Sequence, residues 1–132
     1  MENIYKDIHL FIVEDDVYMQ NLLSIHLSFQ YSISIFSNGL EALTSIQLGN
    51  VPDVILSDLN TPEIGGLELI KQIKTSGFFS FIPILILSGE ENSDKRIQCL
   101  NAGADDFIVK PFNPQELDAR LKIVLKRLGK II

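Results

Sequence analysis

The chain has 132 residues, 46% of them apolar, which is enough for one hydrophobic core and too few for two. Its 17 acidic against 11 basic residues leave a formal charge of −6, which argues against a binder of nucleic-acid backbone but not against a binder of cations. One cysteine, Cys99, excludes an internal disulfide and fits a reducing compartment, and there is neither a signal core at residues 1–7 nor a membrane-length apolar run. A single cytoplasmic domain over residues 1–132 is expected, with its core at 8–128 and no nucleic-acid or membrane partner.

Residues 8–13 form a first apolar run, read as a strand, that leads into Glu14-Asp15-Asp16. Met19, Leu22, Leu23, Ile25, Leu27 and Phe29 then recur at helical spacing and predict a broad apolar helix face with one ambiguous edge. Residues 32–36 alternate serine with apolar side chains, the pattern of an edge strand. Asn38-Gly39 breaks the chain before a helix carrying Leu40, Leu43, Ile46 and Leu48. Residues 53–57 make a third strand, closed by Asp58 and a Thr61-Pro62 turn. The next helix faces the core with Leu67, Leu69, Ile70 and Ile73 and stops before Gly77. A fourth strand at 82–87 keeps Pro83 near its start, where a missing N–H is tolerated. A helix over 92–102 ends at Gly103, and 107–109 is the fifth strand. Pro114 opens a last helix with Leu117, Leu121, Val124, Leu125 and Leu128 inward.

Five strand-then-helix units in series predict an α/β fold, a doubly wound parallel sheet with helices on both faces. The order 2-1-3-4-5, a flavodoxin-like arrangement, is the natural choice, although periodicity alone does not yield it. In a parallel sheet the carboxyl ends of all strands share one edge. Glu14-Asp15, Ser57-Asp58, Ser88-Gly89 and Lys110-Pro111 therefore converge from distant parts of the chain. Carboxylates crowded together repel, and a hard divalent cation such as Mg²⁺ relieves that repulsion. The plainer reading makes the acids helix caps, a role that suits Asp16. An FMN-binding redox carrier would instead need a Gly/Ser/Thr phosphate loop after the first strand, where this chain has three acids.

These strand ends together resemble a response-regulator receiver domain, the phospho-accepting module of two-component signalling. The resemblance runs over about residues 8–128. Its markers are Phe-Ile-Val-Glu14-Asp15, Ser57-Asp58-Leu-Asn60-Thr-Pro62, Ile-Leu-Ser88-Gly89 and Gly-Ala-Asp-Asp-Phe107-Ile-Val-Lys110-Pro111-Phe112. It implies that Asp58 accepts a phosphoryl group from a phosphohistidine on a sensor histidine kinase or phosphotransfer protein. It further implies that Asp15, Asp58 and the Asn60 carbonyl bind Mg²⁺, with Glu14 acting through water. Ser88 and Lys110 would contact the phosphoryl oxygens, and Lys110-Pro111 would be a cis peptide. Phe107 matches a switch aromatic, so the face of the fourth helix, fifth strand and last helix would change on phosphorylation. The readers implied are a downstream effector or output domain, and a homodimer through that face is a further option. Such a domain is no enzyme beyond catalysing its own phosphorylation and dephosphorylation. The alternative is a divergent, unphosphorylated receiver acting only as an interaction module.

Thr61 stands where the family often has methionine, and Gly65 where it often has aspartate. The Gly65-Gly66 pair is expected to loosen the loop after Asp58. Asn60 and Glu90 occupy positions that influence phosphoryl lifetime in the family. Val17, Tyr18 and Met19 resemble a kinase-docking site, though core packing explains some of them equally well. Phe78, Phe79 and Phe81 are expected to plug the base of the sheet, with an exposed contact patch as the alternative. The basic tail (Arg120, Lys122, Lys126, Arg127, Lys130) is expected to be solvated, with a dimer or partner surface as the alternative. His9 and His26 are expected to be structural or exposed, Cys99 to be buried, and no output domain to follow Leu128.

Overall fold

The computed structural model describes residues 4–89 and 93–132. The elements alternate as β1 (Tyr5–Val13), α1 (Val17–Leu27), β2 (Tyr31–Phe36), α2 (Gly39–Gln47) and β3 (Val54–Asp58). They continue as α3 (Gly66–Lys74), β4 (Ile84–Ser88), α4 (Ser93–Ala102), β5 (Asp106–Val109) and α5 (Pro114–Arg127). The strands form one parallel sheet in the order β2-β1-β3-β4-β5, with β2 at an edge as its serine alternation suggested. The readings at Asn92 and Glu90 lie outside the described residues.

The period of two in the strands sorts the core into two layers. Leu10, Ile12, Leu56, Leu85 and Leu87 pack with Leu23 and Leu27 of α1 and with Leu117, Leu121, Val124 and Leu125 of α5. Phe11, Val13, Ile55, Ile84 and Ile86 point the other way, onto Ala42, Leu43 and Ile46 of α2 and Leu69, Ile70 and Ile73 of α3. Cys99 is the buried residue that α4 contributes to this second layer. Caps set the helix starts: Asp16, Asn38 and Asn113 each accept a hydrogen bond from the first turn that follows. Gly103, at φ 115°, carries the left-handed backbone that ends α4.

Several expectations about faces need correction. Only Leu23 and Leu27 of α1 are buried, whereas Leu22, Ile25 and Phe29 are exposed, Ile25 by 78%. A helix lying on a sheet buries about one side, so the remaining apolar positions face outward. For the same reason Leu40 and Leu48 of the α2 region and Leu128 beyond α5 are exposed. Phe78 and Phe81 do not plug the sheet, being 84% and 57% exposed; only Phe79 packs against the core. The basic tail is largely engaged within the chain. Arg120 pairs with Asp106 and Glu116, Lys130 with Asp53, and the Lys122 ammonium lies 5.9 Å from the Tyr5 ring centroid.

Strand limits also move. β1 begins at Tyr5, which pairs with Tyr31 before the register shifts to His9 opposite Ser32. Asp53 lies just before β3, and its carboxylate accepts the His9 amide at 2.8 Å. Pro83 precedes β4, whose first residue is Ile84. His9 Nε2 lies 2.7 Å from the Ser34 hydroxyl, and His26 Nε2 lies 2.9 Å from the Asp118 carboxylate, linking α1 to α5. No helix among the described residues is long and apolar enough to cross a membrane.

Candidate functional site

Parallel register aligns the ends of the central strands. Val13 sits beside Ser57, so Glu14 and Asp58, the next residue of each chain segment, emerge side by side. Asp58 is level with Leu87, and Ser88 with Val109, which brings Lys110 to the same edge. The Lys110 amide donates to the Ser88 carbonyl at 2.7 Å, and Lys110-Pro111 is cis, as the resemblance implied.

Glu14, Asp15 and Asp58 each offer a carboxylate oxygen, and these oxygens lie within 4.8 Å of one another. Glu14 is buried, Asp58 half-buried and Asp15 exposed, so the cluster opens to solvent on one side. The Lys110 ammonium reaches in from β5, 3.0 Å from Asp58 Oδ1 and 3.2 Å from Glu14 Oε1. Burial pushes the Glu14 carboxyl above its ordinary value, and the neighbouring Asp58 charge adds to that. The hydrogen bond from the Asp16 amide and the Lys110 charge oppose it without cancelling it. Burial pulls Lys110 downward, but its hydrogen bonds and charge contacts with Asp58 and Glu14 outweigh that and hold it above the usual lysine value.

Three carboxylates around one ammonium leave an excess of negative charge. An all-oxygen donor set with a poorly solvated glutamate fits a hard divalent cation such as Mg²⁺. Glu14→Gln tests the metal-free electrostatics. A carboxyl raised on folding contributes stability fully only below its unfolded pKa, and loses it as pH rises through the folded value. At pH 7 without metal, the glutamine variant should therefore be the more stable. The gain should shrink toward pH 4. Urea midpoints at the two pH values measure this, and a variant less stable than wild type at pH 7 would refute it.

Ser88 is buried at the end of β4, and Phe107 is turned into the second core layer, with the Arg96 guanidinium 5.9 Å from its ring centroid. The Asn60 amide donates to Asp58 Oδ2 at 3.2 Å. Six of the seven expected site residues, Glu14, Asp15, Asp58, Asn60, Ser88 and Lys110, thus lie at one edge of the sheet, while Phe107 sits further back on β5, level with Ile86. Asp16 caps α1 instead of joining the cluster, as its sequence position suggested.

A model of the response regulator receiver domain family matches residues 10–122. The chain is a response-regulator receiver domain. It is 36% identical over 121 residues to the response regulator MprA of Mycobacterium sp. (strain KMS), covering 91% of this chain and 51% of that protein. The chain thus spans about half the length of such relatives. Among solved structures, a CheY-like receiver domain protein from Methanospirillum hungatei superposes with a TM-score of 0.85 at 27% identity, covering 93% of this chain and 97% of that one. The cyanobacterial phytochrome response regulator RcpA, solved in phosphorylated form, gives 0.78 at 25% identity, covering 94% and 96%. Receiver domains are signalling modules rather than classical enzymes.

Two contributors to the receiver site escaped the sequence reading. The Gln20 side chain donates to the Glu14 carbonyl at 2.5 Å, tying α1 back to the acid loop. Nothing in the spacing marked it, because an amide on a helix is ordinarily solvated. The Thr61 hydroxyl donates to the Ile64 carbonyl at 2.7 Å. A Thr-Pro pair in a loop is a signal for such a side-chain turn. The Gly65-Gly66 expectation is reversed. A Cβ on Gly65 would stand 2.9 Å from the Leu59 carbonyl oxygen, and one on Gly66 3.0 Å from that of Asp58. Both glycines permit close packing against the end of β3, so they tighten the loop.

Proposed function

We propose that this receiver domain accepts a phosphoryl group on Asp58 from the phosphohistidine of a sensor kinase or phosphotransfer protein. The observation that carries the proposal is the Asp58 carboxylate at the open end of β3, with Lys110 Nζ at 3.0 Å and two further carboxylates within 4.8 Å. One Asp58 oxygen forms a bond to phosphorus as the bond from phosphorus to the donor imidazole nitrogen breaks, and the freed imidazole takes a proton. Asp15, Asp58 and the Asn60 carbonyl would hold Mg²⁺, with Glu14 acting through water. Bound there, the cation supplies positive charge against the approaching phosphoryl oxygens. Lys110 pairs with the charge that the acyl phosphate adds, and Ser88 hydrogen-bonds one of its oxygens. Movement of Ser88 opens room beside Phe107, whose rearrangement alters the face of α4, β5 and α5.

The partner docks at a groove of about 800 Å³ between α1 and the start of α5. Tyr18, Leu22, Ile25 and Phe29 line it, with Pro111 and Phe112, which follow Lys110 directly. Met19 also packs against the core, whereas Val17 and Tyr18 are exposed, so the docking reading suits the latter two. Ile97 and Leu100 of α4 and Ile123 of α5 are exposed apolar residues on elements of the output face, open to an effector, an output domain or a second copy. The setting is cytoplasmic. The interaction-only alternative is not favoured, because Glu14, Asp15, Asp58, Ser88 and Lys110 meet at one edge of the sheet, which supports the acceptor reading.

Intact mass after incubation with acetyl phosphate tests the proposal. Wild type should gain one phosphoryl group with Mg²⁺ and none without it, and Asp58→Asn should gain none in either case. A folded wild type that binds Mg²⁺ yet shows no adduct, with samples quenched fast enough to catch a short-lived product, would sink it.

A further inference from the structure

The segment after Asp58 is held by more than its own turn. The Ile64 carbonyl accepts two hydrogen bonds, from the Gly39 amide at 2.9 Å and from the Thr61 hydroxyl at 2.7 Å, so both its lone pairs are used. The Leu59 carbonyl takes the Gly66 amide at 2.8 Å. Between these ties Glu63 sits at φ 65°, a left-handed backbone that costs a non-glycine residue energy. Such a segment keeps its shape because donors on both sides hold it.

We propose that Thr61 is a positioning residue for the phosphoryl-acceptor site: its hydroxyl, bonded to the same carbonyl that takes the Gly39 amide, holds residues 59–65 against the start of α2 and so sets how tightly the site binds a divalent cation. This rests on the acceptor reading above and deepens it. The Asn60 carbonyl and the Thr61 amide belong to one rigid peptide plane. A displacement of the Thr61 Cα is therefore carried to the carbonyl assigned to the cation. The other end of Asn60 is tied by its amide to Asp58 Oδ2. The bond from the Thr61 hydroxyl to the Ile64 carbonyl ties the following end, and a side chain without a hydroxyl lacks it.

The test is calorimetric titration of Mg²⁺ alone into wild type, Thr61→Val and Thr61→Ser, with hydrogen exchange of the Gly39 and Gly66 amides in metal-free protein. The valine variant should bind Mg²⁺ about fivefold more weakly, the size expected for one net hydrogen bond. Its Gly39 amide should exchange faster, and serine should restore both readouts. Equal Mg²⁺ affinity in wild type and Thr61→Val would overturn the positioning role while leaving the acceptor reading intact. Weakening that serine does not rescue would assign the effect to packing and overturn it equally. A wild type that fails to bind Mg²⁺ would overturn the acceptor reading itself, and the positioning role with it.

Discussion

Lys110→Met should destabilise the metal-free protein by about 2–4 kcal/mol at pH 7. The ammonium is 3.0 Å from Asp58 and 3.2 Å from Glu14, and both carboxylates are largely withdrawn from water, with side chains 12% and 3% exposed. Removing it leaves three acids crowded together with no counter-charge. The partial exposure of Asp58 and the open side at Asp15 keep the cost below that of a fully buried pair. Two dependences identify the cause. Saturating Mg²⁺ should recover much of the loss, because a cation replaces the missing positive charge. Lowering the pH toward 4 should shrink it as well, because Glu14, whose carboxyl burial pushes up, needs no lysine once protonated. Urea denaturation with and without Mg²⁺ measures both, and a loss indifferent to metal and pH would point to packing of the lysine stem instead. On the acceptor reading, transfer from acetyl phosphate should also slow by at least about tenfold, since the lysine no longer meets the developing charge.

Gly39→Ala should cost about 1–3 kcal/mol, although alanine is the better helix former. The gain from propensity is worth at most about 1 kcal/mol. Against it, a Cβ at this position would lie 2.5 Å from the Ile64 carbonyl oxygen and 2.9 Å from Ile64 Cγ2. The nearer atom is backbone, so the start of α2 and the acceptor loop must separate, breaking the bond from the Gly39 amide to Ile64. Close approach, rather than unusual backbone angles, is what requires glycine here. Gly77→Ala is the matched control: a Cβ there meets nothing within 4 Å, and its effect should stay within about 0.5 kcal/mol of zero. Thermal denaturation of the pair separates the two cases. If Gly39→Ala is as benign as Gly77→Ala, the tight link between α2 and the loop is not real. The same variant should weaken Mg²⁺ binding, since it breaks the other hydrogen bond to the Ile64 carbonyl.

The acids at the end of β1, Asp58 with its following turn, and Lys110-Pro111 were legible because each sits where an apolar run stops, and such stops are local features. The alternation of strand and helix, the edge character of β2 and the cap Asp16 were local in the same sense. Which apolar residues point inward was not local. Ile25 and Leu22 have the same character as Leu23 and Leu27, and only the direction in which α1 lies on the sheet separates a core position from a groove wall. Phe78 and Phe81 were misread for the same reason: a run of three phenylalanines shows hydrophobicity but not what it will face. The Gly65-Gly66 pair looked like slack and proved to be clearance for the end of β3, a fact held in distances between segments and not in either glycine. The sequence by itself determined the order of elements and the chemical groups at the strand ends, because these follow from short-range pattern. The tertiary structure alone decided the register that puts Glu14 beside Asp58, the reach of Lys110 across to both, and the bond from Thr61 to Ile64. Such contacts depend on how packed elements sit against one another to within a few tenths of an ångström, and no periodicity in a chain encodes that distance.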